Sequence, residues 1–297
     1  MQQVKGSISK PLLSAPLSDE QCTAYARNGY LVFDPEIPSS IIDGIISDLD
    51  GKYVDPLRTI DGVTYSAGRI QDAWKASSHV KAAALAPKVL AILEQLYRRK
   101  PLPFQTLNFS RGTEQAAHSD TIHFNSVPAT YMCGVWLALE DMDMDVGPLV
   151  YYSGSHKLPE VTLDDLGVRI QFMVTPYYDW MIRLKRRLKP EPGPLPPTPS
   201  ENIHESVYSK YYEPFIADLV ATSGMKPSYG TIKKGQALLW AANLLHGGAS
   251  RRDESRTRYS QVMHYFFEGC KYYTPLCERR TLTLSRKTFW RAPEWIR

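Results

Sequence analysis

Cysteine is scarce in this chain. Its 297 residues include four, Cys22, Cys133, Cys270 and Cys277, and their spacing fits neither a zinc site nor a Cys-x-x-Cys redox pair. With no disulfide framework to read, the expected location is a reducing one, the cytoplasm. Long apolar runs are also missing. Nothing approaches the roughly 20 residues needed to cross a bilayer, and the first residues lack the apolar stretch of a secretory leader. A membrane-embedded protein is therefore not expected. An excess of one charge is lacking too. Thirty-five Lys and Arg stand against 31 Asp and Glu, a net charge of +4. The basic residues are spread out, with only short runs such as Lys185-Arg186-Arg187, which argues against a nucleic-acid partner. No internal repeat marks a solenoid or a propeller.

What is present suits a globular protein with a small-molecule partner. Hydrophobic residues make up 43% and charged residues 22%, enough to bury a real core. The length predicts one elaborated domain over residues 1–297. Ser18-Asp19-Glu20-Gln21 reads as a capping box that opens a helix ending near Gly29, with a strand over Tyr30–Phe33. An amphipathic helix follows from Ser39 through Ile41, Ile42, Ile45, Ile46 and Leu49. Further helices are expected over Val80–Leu85 and Lys88–Arg99, the last stopped by Pro101 and Pro103. From Phe104 the apolar period changes from helix to strand. Short strands are expected at 104–110, 131–139, 148–152, 236–240 and 257–267, with a possible strand over Gly68–Asp72. The expected fold class is mainly β with flanking helices, a cupin-like jelly roll preceded by N-terminal helices. An insertion at about 158–225 carries helix patterns at Tyr177–Leu188 and Tyr208–Thr222 around a proline-rich run, Pro190–Pro199. It reads as a helical and proline-rich lid.

The candidate chemistry begins at His118-Ser119-Asp120. Alternate residues of a strand point the same way, so His118 and Asp120 share a side. Far downstream His246 lies at another strand end, in Leu244-Leu245-His246-Gly247-Gly248, whose glycines suit a close backbone approach. Two histidines and a carboxylate form the facial triad of non-haem Fe(II) sites; a surface or satisfied core pair is the plainer reading of His118 and Asp120. Arg256, Arg258 and Ser260 follow on one face of a strand. An inward arginine needs an anion, because an unpaired buried guanidinium is costly. A guanidinium beside a hydroxyl suits a carboxylate, and with iron that points to 2-oxoglutarate. The alternative is an internal Glu or Asp partner for Arg258.

An ordered set of motifs then becomes specific. Gln105-Thr-Leu-Asn-Phe109, Gly112-Thr113, His118-Ser-Asp-Thr-Ile-His-Phe124, Cys133-Gly-Val-Trp-Leu-Ala-Leu-Glu-Asp141, Gly147-Pro-Leu-Val-Tyr-Tyr-Ser-Gly-Ser-His156, Leu245-His-Gly-Gly248 and Thr257-Arg-Tyr-Ser-Gln-Val-Met-His-Tyr265 together resemble the phytanoyl-CoA dioxygenase family. The resemblance covers about residues 18–280. It implies a double-stranded β-helix and an Fe(II)/2-oxoglutarate-dependent dioxygenase that uses O2, a hydroxylase. It implies His118, Asp120 and His246 as iron ligands and Arg258 with Ser260 as the seat of the co-substrate's distal carboxylate. Trp136, Gln105 and Arg69 match positions that line or touch the co-substrate in relatives. Arg258 stands twelve residues after His246, one more than the family's usual spacing, and Arg256 competes with it. His264 and His156 read as structural, and His123 as a lining residue or a satisfied one. The other outcomes are a cupin-like small-molecule binding protein or a metal-dependent isomerase, neither needing 2-oxoglutarate turnover.

Overall fold

The computed structural model describes residues 15–162, 165–166, 184, 207–273, 275, 279–281, 284–286 and 294–297. The helix expected at 177–188 and the proline-rich run at 190–199 lie outside the described residues, Leu184 excepted. The capping box is formed. Gln21 N–H donates to Ser18 Oγ at 3.2 Å and Ser18 N–H to Gln21 Oε1 at 2.9 Å. They open α1 (Asp19–Asn28), which closes at Gly29 in the left-handed region, φ 80°. Then come β1 (Tyr30–Phe33), α2 (Ser39–Leu49), β2 (Arg58–Ile60), β3 (Val63–Tyr65), β4 (Ile70–Gln71), α3 (Ser78–Ala84) and α4 (Pro87–Tyr97).

The β half follows. It comprises β5 (Pro101–Phe109), β6 (Asn125–Val127), β7 (Met132–Ala138), β8 (Leu149–Tyr152), β9 (Pro227–Tyr229), β10 (Ala237–Ala241), β11 (His246–Gly248), β12 (Ser260–Phe267) and β13 (Lys271–Tyr273). A π-turn at Tyr208–Tyr212 leads into α5 (Glu213–Ser223). The five strands expected between 104 and 267 are all present. The three-residue strands β2, β3, β6, β9, β11 and β13 were not expected, being too short to show a period.

Eight antiparallel strands form the large sheet in the order β1-β10-β7-β12-β5-β4-β3-β2, and a small sheet runs β11-β8-β9. The two pack face to face as a double-stranded β-helix. Alternation assigns the two sides of the large sheet. Cys133, Val135, Leu137, Leu239, Met263 and Tyr265 point outward against the helices, where Ile45, Val80, Val89, Ile92 and Leu93 complete one core. Burying such a side chain contributes about 1.5–3 kcal/mol. Trp136, Ala138, Leu238, Trp240 and Val262 point inward and meet Leu149 and Tyr151 of the small sheet. The register of β5 against β12 shifts between His264 and Tyr265. There the partner is Pro103, which has no N–H to give, a natural place for a bulge.

Candidate metal centre

The site is built where the small sheet's edge meets a loop. His118 and His246 form an isolated antiparallel bridge, with His118 N–H donating to His246 O and His246 N–H to His118 O, both at 2.9 Å. This reciprocal pair sets the two side chains beside each other, ring centroids 4.5 Å apart. The approach depends on Gly247 and Gly248. A Cβ on Gly247 would lie 2.6 Å from Gln115 O, and one on Gly248 2.8 Å from Glu114 N. Ser119 then keeps an extended backbone, φ −112° and ψ 138°, so Asp120 returns to the side of His118. Ser119 itself is pinned: its N–H donates to Tyr212 Oη at 2.9 Å, and its Oγ donates to Ala242 O and accepts from Thr121 N–H.

His118, Asp120 and His246 are buried, and one ligand atom from each lies within 4.8 Å of the others. Asp120 Oδ1 is 3.9 Å from His118 Nε2 and 3.7 Å from His246 Nε2. Each ring is set by the carbonyl two residues before it. His118 Nδ1–H donates to Ala116 O at 3.0 Å and His246 Nδ1–H to Leu244 O at 2.9 Å. Because Nδ1 carries the proton, each Nε2 keeps its lone pair toward the cluster, the arrangement a metal requires. Burial, with the neighbouring His246, lowers the His118 pKa to about 3, so the ring stays neutral. Burial pushes the Asp120 carboxyl up, but His246, His264, His118 and the Trp240 hydrogen bond outweigh it, and the net shift is down. These donors fit a divalent cation such as Fe(II): two imidazoles and one carboxylate, oriented and buried.

Two further groups face Asp120, and the sequence reading did not place them. Trp240 Nε1–H donates to Oδ2 at 2.7 Å. His264, read from sequence as structural, brings Nε2 to 3.7 Å from the same oxygen, while its Nδ1 lies 2.9 Å from Gln105 Oε1. A signal for Trp240 was present: a tryptophan inside an apolar strand is buried, and its N–H then needs an acceptor.

The cavity in front of the cluster has a volume of about 70 Å³. Leu107, Phe109, Leu149 and Val262 form its apolar wall, and Arg258 lies at the same cavity. Arg258 is 3% exposed. Its Nη1–H donates to Gly147 O at 2.9 Å, and its guanidinium lies 5.6 Å from the Trp136 ring centroid. Among the described residues it has no carboxylate partner, and its Nε is buried without a hydrogen bond, as is Ser260 Oγ. Glu140, whose charge it feels, is already used by Thr257 Oγ1–H and Tyr259 N–H. Desolvation lowers the Arg258 pKa to about 10, still leaving it a cation at neutral pH. Arg256, the competitor, pairs with Asp143 at 2.9 Å on the surface.

Trp136 lines the cavity. Gln105 contacts His264 and faces a neighbouring pocket beside Phe104 and Phe124. Arg69 is exposed and lines an outer cleft. His123 lies against Tyr208, ring centroids 4.9 Å apart.

The family model for phytanoyl-CoA dioxygenase matches residues 17–258. The chain belongs to the phytanoyl-CoA dioxygenase family. The family is one of iron- and 2-oxoglutarate-dependent oxygenases. A curated mouse relative, phytanoyl-CoA dioxygenase domain-containing protein 1, is 22% identical over 143 residues, 46% of this chain and 47% of the relative. That match thus spans about half the length of the relative. Among solved structures, EctD from S. alaskensis with 2-oxoglutarate and 5-hydroxyectoine is 16% identical, covering 94% of this chain and 87% of that one at a TM-score of 0.59. The epimerase SnoN in complex with Fe3+, alpha ketoglutarate and nogalamycin RO is 16% identical over 94% and 98%, at 0.57. The carbocyclase SnoK from nogalamycin biosynthesis is 13% identical over 91% of both chains, at 0.57. These likenesses establish the fold. Among the described residues no helix is long and apolar enough to cross a membrane.

Proposed function

We propose that the protein is an Fe(II)/2-oxoglutarate-dependent dioxygenase that hydroxylates an unactivated C–H bond of a small organic substrate and releases succinate and CO2. Residues 1–297 act as one catalytic unit, and the free thiols of Cys22, Cys133 and Cys270 suit the cytoplasm. One observation carries the reading: a three-donor metal cluster and an unpaired buried guanidinium face the same cavity.

His118 Nε2, Asp120 Oδ1 and His246 Nε2 would hold the iron, which supplies oxygen activation coupled to decarboxylation of the 2-oxo acid. The protein's part is binding, orientation and exclusion of water. Arg258 takes the distal carboxylate of 2-oxoglutarate, giving its buried charge the partner it lacks. Ser260 adds a hydroxyl, and Trp136 supports the guanidinium from one side. Leu107, Phe109, Leu149 and Val262 pack the methylenes and keep bulk water from the reacting centre. Gln105 acts through His264 rather than on the co-substrate.

The test is an anaerobic titration of iron-loaded protein with 2-oxoglutarate, followed by oxygen and a panel of candidate substrates. A charge-transfer absorption band on addition of 2-oxoglutarate, then succinate release, is the expected result. Protein that retains neither iron nor 2-oxoglutarate would be a binding module instead.

A further inference from the structure

A second cavity opens beside the metal centre. Its volume is about 600 Å³, and Phe109, Thr113 and Gln115 line both it and the metal cavity, so the two share a wall. Three arginines line this cleft, Arg69, Arg111 and Arg251, and no acidic side chain does. Arg69 and Arg111 are exposed, and among the described residues neither makes an ion pair. Arg69 follows from the pairing of β4 with β5. Ile70 lies opposite Asn108 and points to the helices, so Arg69 points to the barrel side, next to Phe109.

Arg251 is held in advance. Gly112 and Gly147 close around its stem, where added Cβ atoms would lie 3.1 Å and 2.8 Å from Arg251 Cγ. Its Nε and Nη1 are buried without a hydrogen bond. Glu114 Oε1 is 3.7 Å from its Nε, too far to serve as an acceptor, and is engaged at 2.7 Å by the Arg251 backbone N–H. Buried guanidinium donors left open are costly, and like charges gathered in one recess repel. A binding role for an anion explains both.

We propose that this cleft binds an oxyanion of the primary substrate, a carboxylate or a phosphate, while the rest of that molecule reaches past Phe109 to the metal centre. The inference rests on the oxygenase reading for the identity of the reacting end. It deepens that reading by naming the substrate class: an organic acid or phosphate ester, distinct from the 2-oxoglutarate seated at Arg258. Guanidinium forks recognise such groups by paired hydrogen bonds.

The experiment uses iron-loaded protein saturated with 2-oxoglutarate under nitrogen. Inorganic phosphate and acetate are titrated separately at constant ionic strength and followed by calorimetry. Arg69 and Arg111 are exposed, so the double variant Arg69→Gln/Arg111→Gln keeps the fold. One further anion should bind the wild type, and the double variant should bind it at least tenfold more weakly. In Arg111→Gln alone the affinity for 2-oxoglutarate should change less than twofold. Whichever probe binds tighter names the substrate's group. Equal anion binding by wild type and variant overturns the inference, as does no second anion at all. A loss of 2-oxoglutarate affinity in Arg111→Gln also overturns it, by making the cleft part of the co-substrate site. If iron and 2-oxoglutarate fail to bind while the anion and its dependence on the two arginines persist, the oxygenase reading fails and the anion site stands.

Discussion

Trp240 Nε1–H donates to Asp120 Oδ2 at 2.7 Å and thereby decides which carboxylate oxygen is left for a metal. Oδ1 is the oxygen that lies 3.7 Å from His246 Nε2 and 3.9 Å from His118 Nε2. Groups that orient ligands in this way commonly contribute about 10–100-fold to metal affinity. Trp240→Phe keeps an aromatic ring, though a smaller one, and removes the donor. It should weaken Fe(II) or Co(II) binding by about tenfold or more, read by metal titration without turnover. An unchanged dissociation constant would remove Trp240 from the orienting role.

The same indole lies over a glycine. Trp240 pairs directly with Gly134 across β10 and β7, and a Cβ on Gly134 would fall 2.2 Å from Trp240 Cζ2. Gly134→Ala must therefore displace the indole or the strand. Overpacking of this kind costs about 1–3 kcal/mol, measurable by denaturant unfolding. Metal affinity should fall in parallel with Trp240→Phe. A stability loss with metal affinity intact would mean that the strand yields and the indole does not.

The legibility of the site in the sequence follows the range of each contact. The capping box at Ser18 and the glycine stop at Gly29 are local, and they appear as read. Strands of five to nine residues carry a visible period, whereas β11 has three residues, His246–Gly248, too few to show one. Its role was legible from Gly247 and Gly248, which leave room for the backbone of residues 114–116. The contact of Gln105 with His264 was not legible, because it depends on the register of β5 against β12 and on a bulge at Pro103. His264 shares its face of β12 with Ser260 and Val262 by alternation, but its approach to Asp120 depends on the loop that carries residue 120. The three arginines of the outer cleft come from segments far apart in the chain, and no local pattern links them.

Metal removal should be visible in stability. The three donors are brought together only in the folded chain, so a bound ion favours the native state. At free metal 100 times the dissociation constant the gain is about 2.7 kcal/mol. Thermal unfolding with Co(II), and again after chelation, should show the higher midpoint with metal. His246→Ala should abolish the difference, and a midpoint indifferent to metal in the wild type would argue against the cluster as a binding site.

Arg258 opposes stability to function, and the two can be measured separately. The residue is 3% exposed, and its guanidinium has one hydrogen bond to Gly147 O and leaves Nε without a partner. Without an anion, that is an uncompensated buried charge, offset only in part by the Trp136 face. Arg258→Met fills similar volume without the charge. By analogy with apolar replacement of buried ionic groups, the variant should unfold about 1–2 kcal/mol later than the wild type in the absence of 2-oxoglutarate. Adding 2-oxoglutarate to the metal-loaded proteins should reverse the order, because the wild type gains a carboxylate partner that the variant cannot hold. Denaturant unfolding of both proteins, with and without 2-oxoglutarate, gives the four free energies required. If 2-oxoglutarate stabilises Arg258→Met as much as the wild type, the distal carboxylate is seated elsewhere. If the variant is the less stable protein without ligand, the Gly147 and Trp136 contacts already outweigh the cost of burying the charge.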